Sequence, residues 1–140
     1  MTKEKIVLLG GGGHCKVVID AITKLGNFEI IGVLDSKKSS EKFFSHEILG
    51  DDDRLTEIYN SGCRNAFIAF GSLGDPSSRI LADKKLKEIG FSIPVIIHPS
   101  AIVAMDVKIA EGSFIAAGAV LAPSVKIGRN AIINTNSSVD

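Results

Sequence analysis

Up to residue 97, short aliphatic runs alternate with segments whose apolar residues recur at helical spacing. The pattern predicts strands over residues 5–9, 29–34, 65–70 and 95–97. Helices are predicted after the glycines at positions 10–13, around residues 55–59, and from residue 75 to a stop at Gly90. Because alternating strands and helices favour a parallel sheet, residues 1–97 are predicted to form a Rossmann-like α/β domain.

The apolar positions also predict which helix faces are buried. In the first helix, which Gly26 is placed to end, the inward positions are Val17, Val18, Ala21, Ile22 and Leu25. In the last helix, where Asp75 can cap and Pro76 suits the first helical position, they are Ile80, Leu81, Leu86 and Ile89.

After residue 99 the apolar period becomes six. The aliphatic residues that repeat at this interval are Val103, Ile109, Ile115, Leu121, Ile127, Ile133 and Val139. A small or β-branched residue stands two positions before each of them. Six residues fit one face and one corner of a triangular parallel β-helix, and three hexapeptides make one coil. Residues 98–140 are therefore predicted to form about the first two coils of a triangular parallel β-helix, with the aliphatic residues in one inner stack.

Composition excludes several classes of protein. The 140 residues carry 16 Lys and Arg against 16 Asp and Glu, so the chain has no electrostatic footprint for nucleic acid or an anionic membrane. Two cysteines without Cys-x-x-Cys spacing predict neither a disulfide framework nor a metal site. No segment has the length of a signal peptide's apolar core or of a membrane span, so we expect a cytoplasmic protein.

The glycine run between the first strand and the first helix predicts an anion site. Residues Gly10, Gly11, Gly12 and Gly13, followed by His14, lie where backbone N–H groups and the helix dipole favour a phosphate. The dinucleotide pattern G-x-G-x-x-G is incomplete, since Cys15 or Lys16 falls on its last position. This weakens the interpretation of the chain as a Rossmann-type oxidoreductase.

Other candidate ligand contacts follow the second and third strands. Asp35 is placed to accept hydrogen bonds from ribose hydroxyls, with Ser36 and Lys37 beside it; Lys37 and Lys38 could approach a diphosphate. Gly71 and Ser72 fall at the sheet edge where open α/β folds bind ligands. The remaining histidines and both cysteines have no catalytic signal in the sequence, so His46, His98, Cys15 and Cys63 are interpreted as structural.

These motifs together resemble the NeuD/PglD-type bacterial sugar acetyltransferases, which include sialic acid O-acetyltransferases and UDP-amino-sugar N-acetyltransferases of surface-glycan biosynthesis. The resemblance implies that the β-helix of residues 98–140 is left-handed. The resemblance covers GGGGH, VLD at Asp35, AFGS at Gly71, the IIHPSA junction and the hexapeptides through INTNSSVD. It implies that Gly12, Gly13, His14, Asp35 and Gly71 hold a sugar nucleotide. It also implies that Asn134 lies in the acceptor or acetyl-CoA region, that acetyl-CoA is the cosubstrate without a metal, and that the protein is a homotrimer.

In that family the histidine that acts as general base directly follows the position of Asp140, the last residue printed. No catalytic residue is therefore assigned, and we expect this chain to be a truncated, inactive form. The alternative is a non-catalytic nucleotide-sugar-binding module. The sequence leaves open which sugar is bound and whether nitrogen or oxygen is acetylated.

Overall fold

A computed structural model describes residues 2–37, 42–72 and 74–140. Its N-terminal sheet contains three parallel strands, β1 (Glu4–Leu9), β2 (Phe28–Leu34) and β3 (Asn65–Ile68), in the order β2-β1-β3. Single bridges extend both edges, with Ile48 beside Val33 and Ser92 beside Asn65. With these two segments included, the spatial order across the sheet is the Ile48 segment, β2, β1, β3 and the Ser92 segment, which in chain order is 3-2-1-4-5. This order confirms the predicted Rossmann-like class.

Three helices connect these strands: α1 (Gly13–Leu25), α2 (Leu55–Asn60) and α3 (Ser77–Ile89). Gly26 and Gly90 end α1 and α3 in the left-handed conformation, as predicted. A short 3₁₀ turn, Asp52–Arg54, precedes α2, and the Asp51 carboxylate caps it by accepting the Asp53 N–H. No helix in the described part of the chain is both long enough and apolar enough to cross a membrane.

The predicted buried face of α3 is wrong at two positions. Ile80 and Leu81 are 62% and 67% exposed, whereas Arg79, Ala82 and Leu86 are buried. The cause is a polar contact, because the buried guanidinium of Arg79 hydrogen-bonds main-chain carbonyls and fixes the rotation of the helix.

The inner face of α1 also differs at its margins. Val17 and Leu25 are 42% and 36% exposed, and Cys15 and Ile19 are buried instead. The other three predicted positions, Val18, Ala21 and Ile22, are fully buried.

The second region is a β-helix of two-residue strands, which we call the prism. Its strands are β4 (Ile96–Ile97), β5 (Ile102–Val103), β6 (Lys108–Ile109), β7 (Phe114–Ile115), β8 (Val120–Leu121), β9 (Lys126–Ile127), β10 (Ile132–Ile133) and β11 (Ser138–Val139). Each pairs in parallel with the strand 18 residues away, giving faces β4-β7-β10, β5-β8-β11 and β6-β9. The structure thus contains two coils and two faces of a third, and the period of six is confirmed.

The inner stack of the prism is also confirmed. All seven predicted aliphatic residues belong to one cluster, and Ile97 extends it at the start. Ile115 and Leu121, in the middle coil, are 0% and 1% exposed, because coils cover them on both sides.

The strand predicted at residues 95–97 belongs to the prism. Ile96 and Ile97 pair with Phe114 and Ile115, while the Ser92 segment occupies the edge of the N-terminal sheet. The prism therefore begins before the predicted domain boundary at residues 97 and 98.

The hydrophobic core of the N-terminal domain extends onto the outer face of the prism. Ile96 and Phe114 point outward from the face β4-β7-β10 and are buried against the N-terminal domain. The Phe114 ring makes edge contacts with His14 and Phe67, at centroid distances of 5.5 and 6.4 Å. This contact surface, which we call the seam, places the start of α1 against the prism.

Candidate functional site

The glycines at positions 10–13, which run from the end of β1 to the first residue of α1, have different structural roles. Gly10 has a φ of 101°, and a Cβ there would lie 2.8 Å from Phe70 Cβ, so the fold itself requires glycine. Gly12 and Gly13 lack a positive φ, and a Cβ on either would meet nothing within 4 Å. The fold does not require glycine at these two positions. Their missing side chains leave open space in front of the helix.

That space faces the N-terminus of α1, a helix of 13 residues. The N-cap is Gly12, which supplies no side-chain hydrogen bond, and the first turn contains no acidic residue. The first N–H groups and the positive end of the helix dipole are thus available to an external anion. This arrangement is the one predicted from the glycine run.

Asp35 connects this loop to the end of β2. Its Oδ2 accepts the Gly11 N–H at 2.8 Å, and its Oδ1 accepts the Lys37 N–H at 2.9 Å. A carboxylate has about four acceptor positions, so the two that remain are available to a ligand. Asp35 therefore fixes the glycine loop while it lines the adjacent cavity.

The first cavity, which we call the strand-edge cavity, has a volume of about 520 Å³ and lies at the carboxyl ends of the parallel strands. Its lining includes four residues predicted from the sequence: Gly10, Asp35, Ser36 and Lys37. It also includes residues that the sequence analysis did not assign to the site: Asp51, Asp52, Asp53, Phe70 and Ser78.

The acidic run gives this cavity a negative end. Burial raises the pKa of Asp52, and the neighbouring Asp51 and Asp53 carboxylates act in the same direction, against Lys85. Such a wall disfavours phosphate and favours hydrogen-bond donors such as hydroxyls and base N–H groups. Phosphate is therefore favoured at the glycine loop instead. In the sequence these acids stand just before the helix predicted around residues 55–59, and their place in the cavity wall depends on the edge segment at Ile48.

The second cavity, which we call the seam cavity, has a volume of about 430 Å³ and lies between the N-terminal domain and the prism. It brings together four predicted residues from three distant segments, His14, Gly71, Ser72 and Asn134. The wall is completed by Arg79, Asn130 and Ile132, which were not predicted from the sequence as site residues.

Two of the residues that line the seam cavity carry a buried polar atom without a partner. His14 Nε2 and Asn130 Oδ1 are buried, and neither has a hydrogen bond within the described residues. Burial lowers the pKa of His14, and the positive charge of Arg79 lowers it further, so the imidazole is neutral at pH 7. Asn130 Oδ1 packs against Gly112 in the neighbouring coil, whereas His14 retains unused hydrogen-bonding capacity beside the cavity.

The two cavities adjoin. Phe70 and Ser78 line the strand-edge cavity, and the residues that directly follow them in the chain, Gly71 and Arg79, line the seam cavity. The glycine loop spans the same division, with Gly10 in the strand-edge cavity and His14 in the seam cavity. The open N-terminus of α1 therefore lies between the two cavities.

The other candidates lie elsewhere. His98 Nδ1 accepts from Ser100 N and Ser100 Oγ at 3.0 and 2.8 Å, and His98 Nε2 lies 3.6 Å from Asp20, which fits the structural role predicted for it. Burial raises the pKa of the Cys15 thiol to about 12, so it remains protonated. Lys38 lies outside the described residues. The described residues contain no cluster of three or more His, Cys, Asp or Glu side chains suited to a metal ion.

Comparisons with known proteins match both regions. Residues 5–86 match the PglD N-terminal domain, and residues 106–140 match the bacterial transferase hexapeptide (six repeats). A histidine-to-asparagine mutant of perosamine N-acetyltransferase from Caulobacter crescentus, solved with CoA and GDP-perosamine, is 34% identical over 97% of this chain, with a TM-score of 0.89. The acetyltransferase domain of PglB from Neisseria gonorrhoeae FA1090 is 28% identical over 99% of this chain, with a TM-score of 0.87.

The chain spans 62% of the length of the first of these structures and 65% of the second. The PglB domain has also been solved with acetyl coenzyme A, and in that structure it is 29% identical, with a TM-score of 0.83. The similarity thus extends from β1 through the prism and includes the residues that line both cavities. This chain belongs to the family of the PglD N-terminal domain, continued by bacterial transferase hexapeptide repeats.

Proposed function

We propose that this chain binds a nucleotide-linked sugar across the two adjoining cavities. The nucleoside lies in the strand-edge cavity, where Asp35 accepts from ribose, and Ser36 and Lys37 lie beside it. The diphosphate lies at Gly11, Gly12 and Gly13, and the sugar enters the seam cavity. The observation that carries this proposal is the open N-terminus of α1 between the two cavities, where the fold does not require Gly12 and Gly13 to be glycine.

The proposed reaction of the whole protein is acetyl transfer from acetyl-CoA to the sugar. A sugar amine or hydroxyl attacks the thioester carbonyl carbon while a general base takes its proton. The carbon–sulfur bond then breaks, the base passes the proton to the sulfur, and the coenzyme leaves as the thiol. Two observations support this class: the hexapeptide prism, and relatives solved with CoA or acetyl coenzyme A. Of the acceptors, an amine is the better supported, since the relative from Caulobacter crescentus is named as an N-acetyltransferase.

In this scheme His14 and Asn134 contact the sugar or the acetyl group from opposite sides of the seam cavity. The general base is the histidine that the family resemblance assigns to the position after Asp140. Neither His98, which is bonded to Ser100, nor His46, in the loop after β2, lines either cavity. That the 140 printed residues alone lack turnover is therefore a prediction of this proposal. A homotrimer and a cytoplasmic location also belong to it.

Calorimetric titration tests the binding proposal. The probes are UDP-, GDP- and CMP-linked sugars, including amino sugars, with NAD as the comparison. We expect at least one sugar nucleotide to bind more tightly than NAD. Gly13→Val should abolish that binding, because its side chain would fill the space in front of α1 without a clash inside the protein.

The matched control is Gly128→Val, since a Cβ on Gly128 also meets nothing within 4 Å, and this residue lies in the prism outside both cavities. The control should bind like the unaltered chain. The proposal is wrong if no sugar nucleotide binds, or if Gly13→Val leaves the affinity unchanged.

Turnover is tested separately with acetyl-CoA and a panel of UDP- and GDP-linked amino sugars and sialic acids. The 140-residue chain is compared with a longer form that continues the hexapeptides. Equal turnover by both forms would overturn the assignment of the general base. Binding without turnover by the longer form would favour the non-catalytic binding module.

A further inference from the structure

Arg79 is a buried cation in the wall of the seam cavity. Its side chain is 5% exposed, and its guanidinium donates to Phe70 O at 2.6 Å and Asn130 O at 2.5 Å. These two contacts use only part of a guanidinium that has five N–H donors. Burial lowers the pKa of Arg79, but arginine stays protonated in proteins. The wall of the cavity thus carries a full positive charge.

No acidic side chain of the described residues forms an ion pair with this charge. The acid one turn further along α3, Asp83, is already occupied, because it accepts from Arg129 at 2.9 Å and from Asn130 Nδ2 at 3.0 Å. Buried charges are normally paired, since removal from water is costly without an opposite charge. The two carbonyl oxygens supply dipoles but leave the net charge uncompensated.

His14 is a second polar residue in the wall of the seam cavity. Its Nε2 is buried without a hydrogen bond, and its ring lies against Phe114 at the start of α1. A neutral imidazole that carries its proton on Nε2 is a donor. Arg79, His14 and the N-terminal amides of α1 therefore supply donors and positive charge around one space.

From this juxtaposition we infer that the seam cavity binds an oxyanion carried by the sugar end of the sugar nucleotide, with Arg79 as its main counter-charge. The inference rests on the proposed function and adds to it the charge of the group that enters the seam cavity. Two sources have this chemistry. One is the phosphate nearer the sugar, and the other is a carboxylate on the sugar itself.

Calorimetry with four probes of one nucleoside separates the sources: UMP, UDP, UDP-glucosamine and UDP-glucuronate, or their guanosine counterparts if guanosine binds better. The variant is Arg79→Met. Loss of a charge-assisted hydrogen bond is expected to weaken binding about 10- to 100-fold. If the phosphate is the group bound by Arg79, the variant should bind UDP, UDP-glucosamine and UDP-glucuronate more weakly and UMP with unchanged affinity. If the carboxylate is the group bound, the variant should lose affinity for UDP-glucuronate alone.

Two further variants separate binding from folding. Arg129→Met removes a half-exposed cation that also bridges α3 and the prism but lies outside the seam cavity, and it should leave all four affinities unchanged. Arg79→Lys retains the charge and should restore part of the affinity for the affected probes alone. Melting temperatures of all variants show whether the fold is intact, and the lysine variant provides the test if Arg79→Met does not fold.

The inference is overturned if the Arg79 variants bind all four probes as the unaltered chain does. It is also overturned if they weaken UMP as much as the other probes, because a purely structural role of Arg79 predicts that pattern. Failure of the proposed function looks different, since the unaltered chain would then bind no probe, and both proposals would be wrong.

Discussion

The N-terminal domain and the prism bury their side chains by different rules. In the prism, each strand sits over the strand 18 residues away, so the register alone decides which residue points inward. In the N-terminal domain, the buried face of a helix depends on what packs against it, and the two hydrogen bonds of Arg79 fix the rotation of α3. Ile80 and Leu81 are exposed there because Arg79 takes the inner position. A repeating register is thus predictable from sequence, whereas a packing partner is not.

A substitution at the seam, where prism residues pack into the N-terminal domain, should have the largest effect on the free energy of unfolding. Phe114 is an outward residue of the prism, yet it is 1% exposed and contacts the core of the N-terminal domain. Phe114→Ala should lower the free energy of unfolding by about 3–5 kcal/mol, as for large cavities in a core. Its control is Val120→Ala at the equivalent outward position of β8, which is 38% exposed and should lose less than about 1 kcal/mol. If Phe114→Ala lowered the free energy of unfolding in urea by no more than Val120→Ala does, the burial of Phe114 in the core of the N-terminal domain would be contradicted.

The inner stack of the prism should give the next largest effect. Ile115→Ala and Leu121→Ala each remove a fully buried side chain and should cost about 2–5 kcal/mol. Ile102→Ala, at a residue that is 64% exposed, should cost less than about 0.5 kcal/mol. If the exposed position proved as costly as the buried ones in denaturant unfolding, the inward assignment by period six would be contradicted.

The corners of the prism offer a sharper test of register. Gly112, Gly118, Ser124, Asn130 and Asn136 follow one another at six-residue intervals, and all have positive φ. A Cβ on Gly112 would collide with the Asn130 carboxamide in the next coil, so Gly112→Ala should cost about 1–3 kcal/mol. Gly128→Ala has space and no positive φ, and it should be nearly neutral in the same thermal-unfolding measurement. A neutral Gly112→Ala would argue against this stacking of corners.

The smallest expected effect is a pH dependence that arises at the seam. The folded state lowers the pKa of His14 below its ordinary value of 6.5, so the unfolded chain binds protons more readily. Stability from this group is present above pH 6.5 and is lost as the pH falls through 6.5 and below. His46 acts in the same direction, also through burial. The lowered pKa values of Asp20, Asp75 and Asp106 act only below about pH 4.

Thermal unfolding between pH 7.5 and 5.5 measures this effect. His14→Gln should flatten the profile in that range, while His46→Gln flattens it less, because His46 lies in a loop outside the seam. An unchanged slope in both variants would contradict a neutral, buried imidazole at the seam.

The sequence allowed most of the fold and part of the site to be predicted. The glycine loop and Asp35 could be predicted as candidates because a turn and a strand end each leave a local signal, whereas Asn134 was predicted only from the family resemblance. The acidic wall at Asp51 and the cation at Arg79 were missed, because their positions depend on the edge segment and on the seam. Asp51 stands just before the helix predicted around residues 55–59, and Arg79 precedes Ile80 and Leu81, whose apolar side chains favoured a different inner face.

Occupation of both cavities by one elongated ligand is tested most directly by hydrogen-exchange mass spectrometry. Exchange is compared in the chain with a nucleoside monophosphate and in the chain with the matching nucleoside diphosphate sugar. The monophosphate should slow exchange in residues 9–14, 34–37 and 51–54. The sugar nucleotide should slow these segments and additionally residues 71–72 and 130–134 across the seam. Protection by the sugar nucleotide that stops at the strand-edge cavity, leaving the seam segments unchanged, would contradict it.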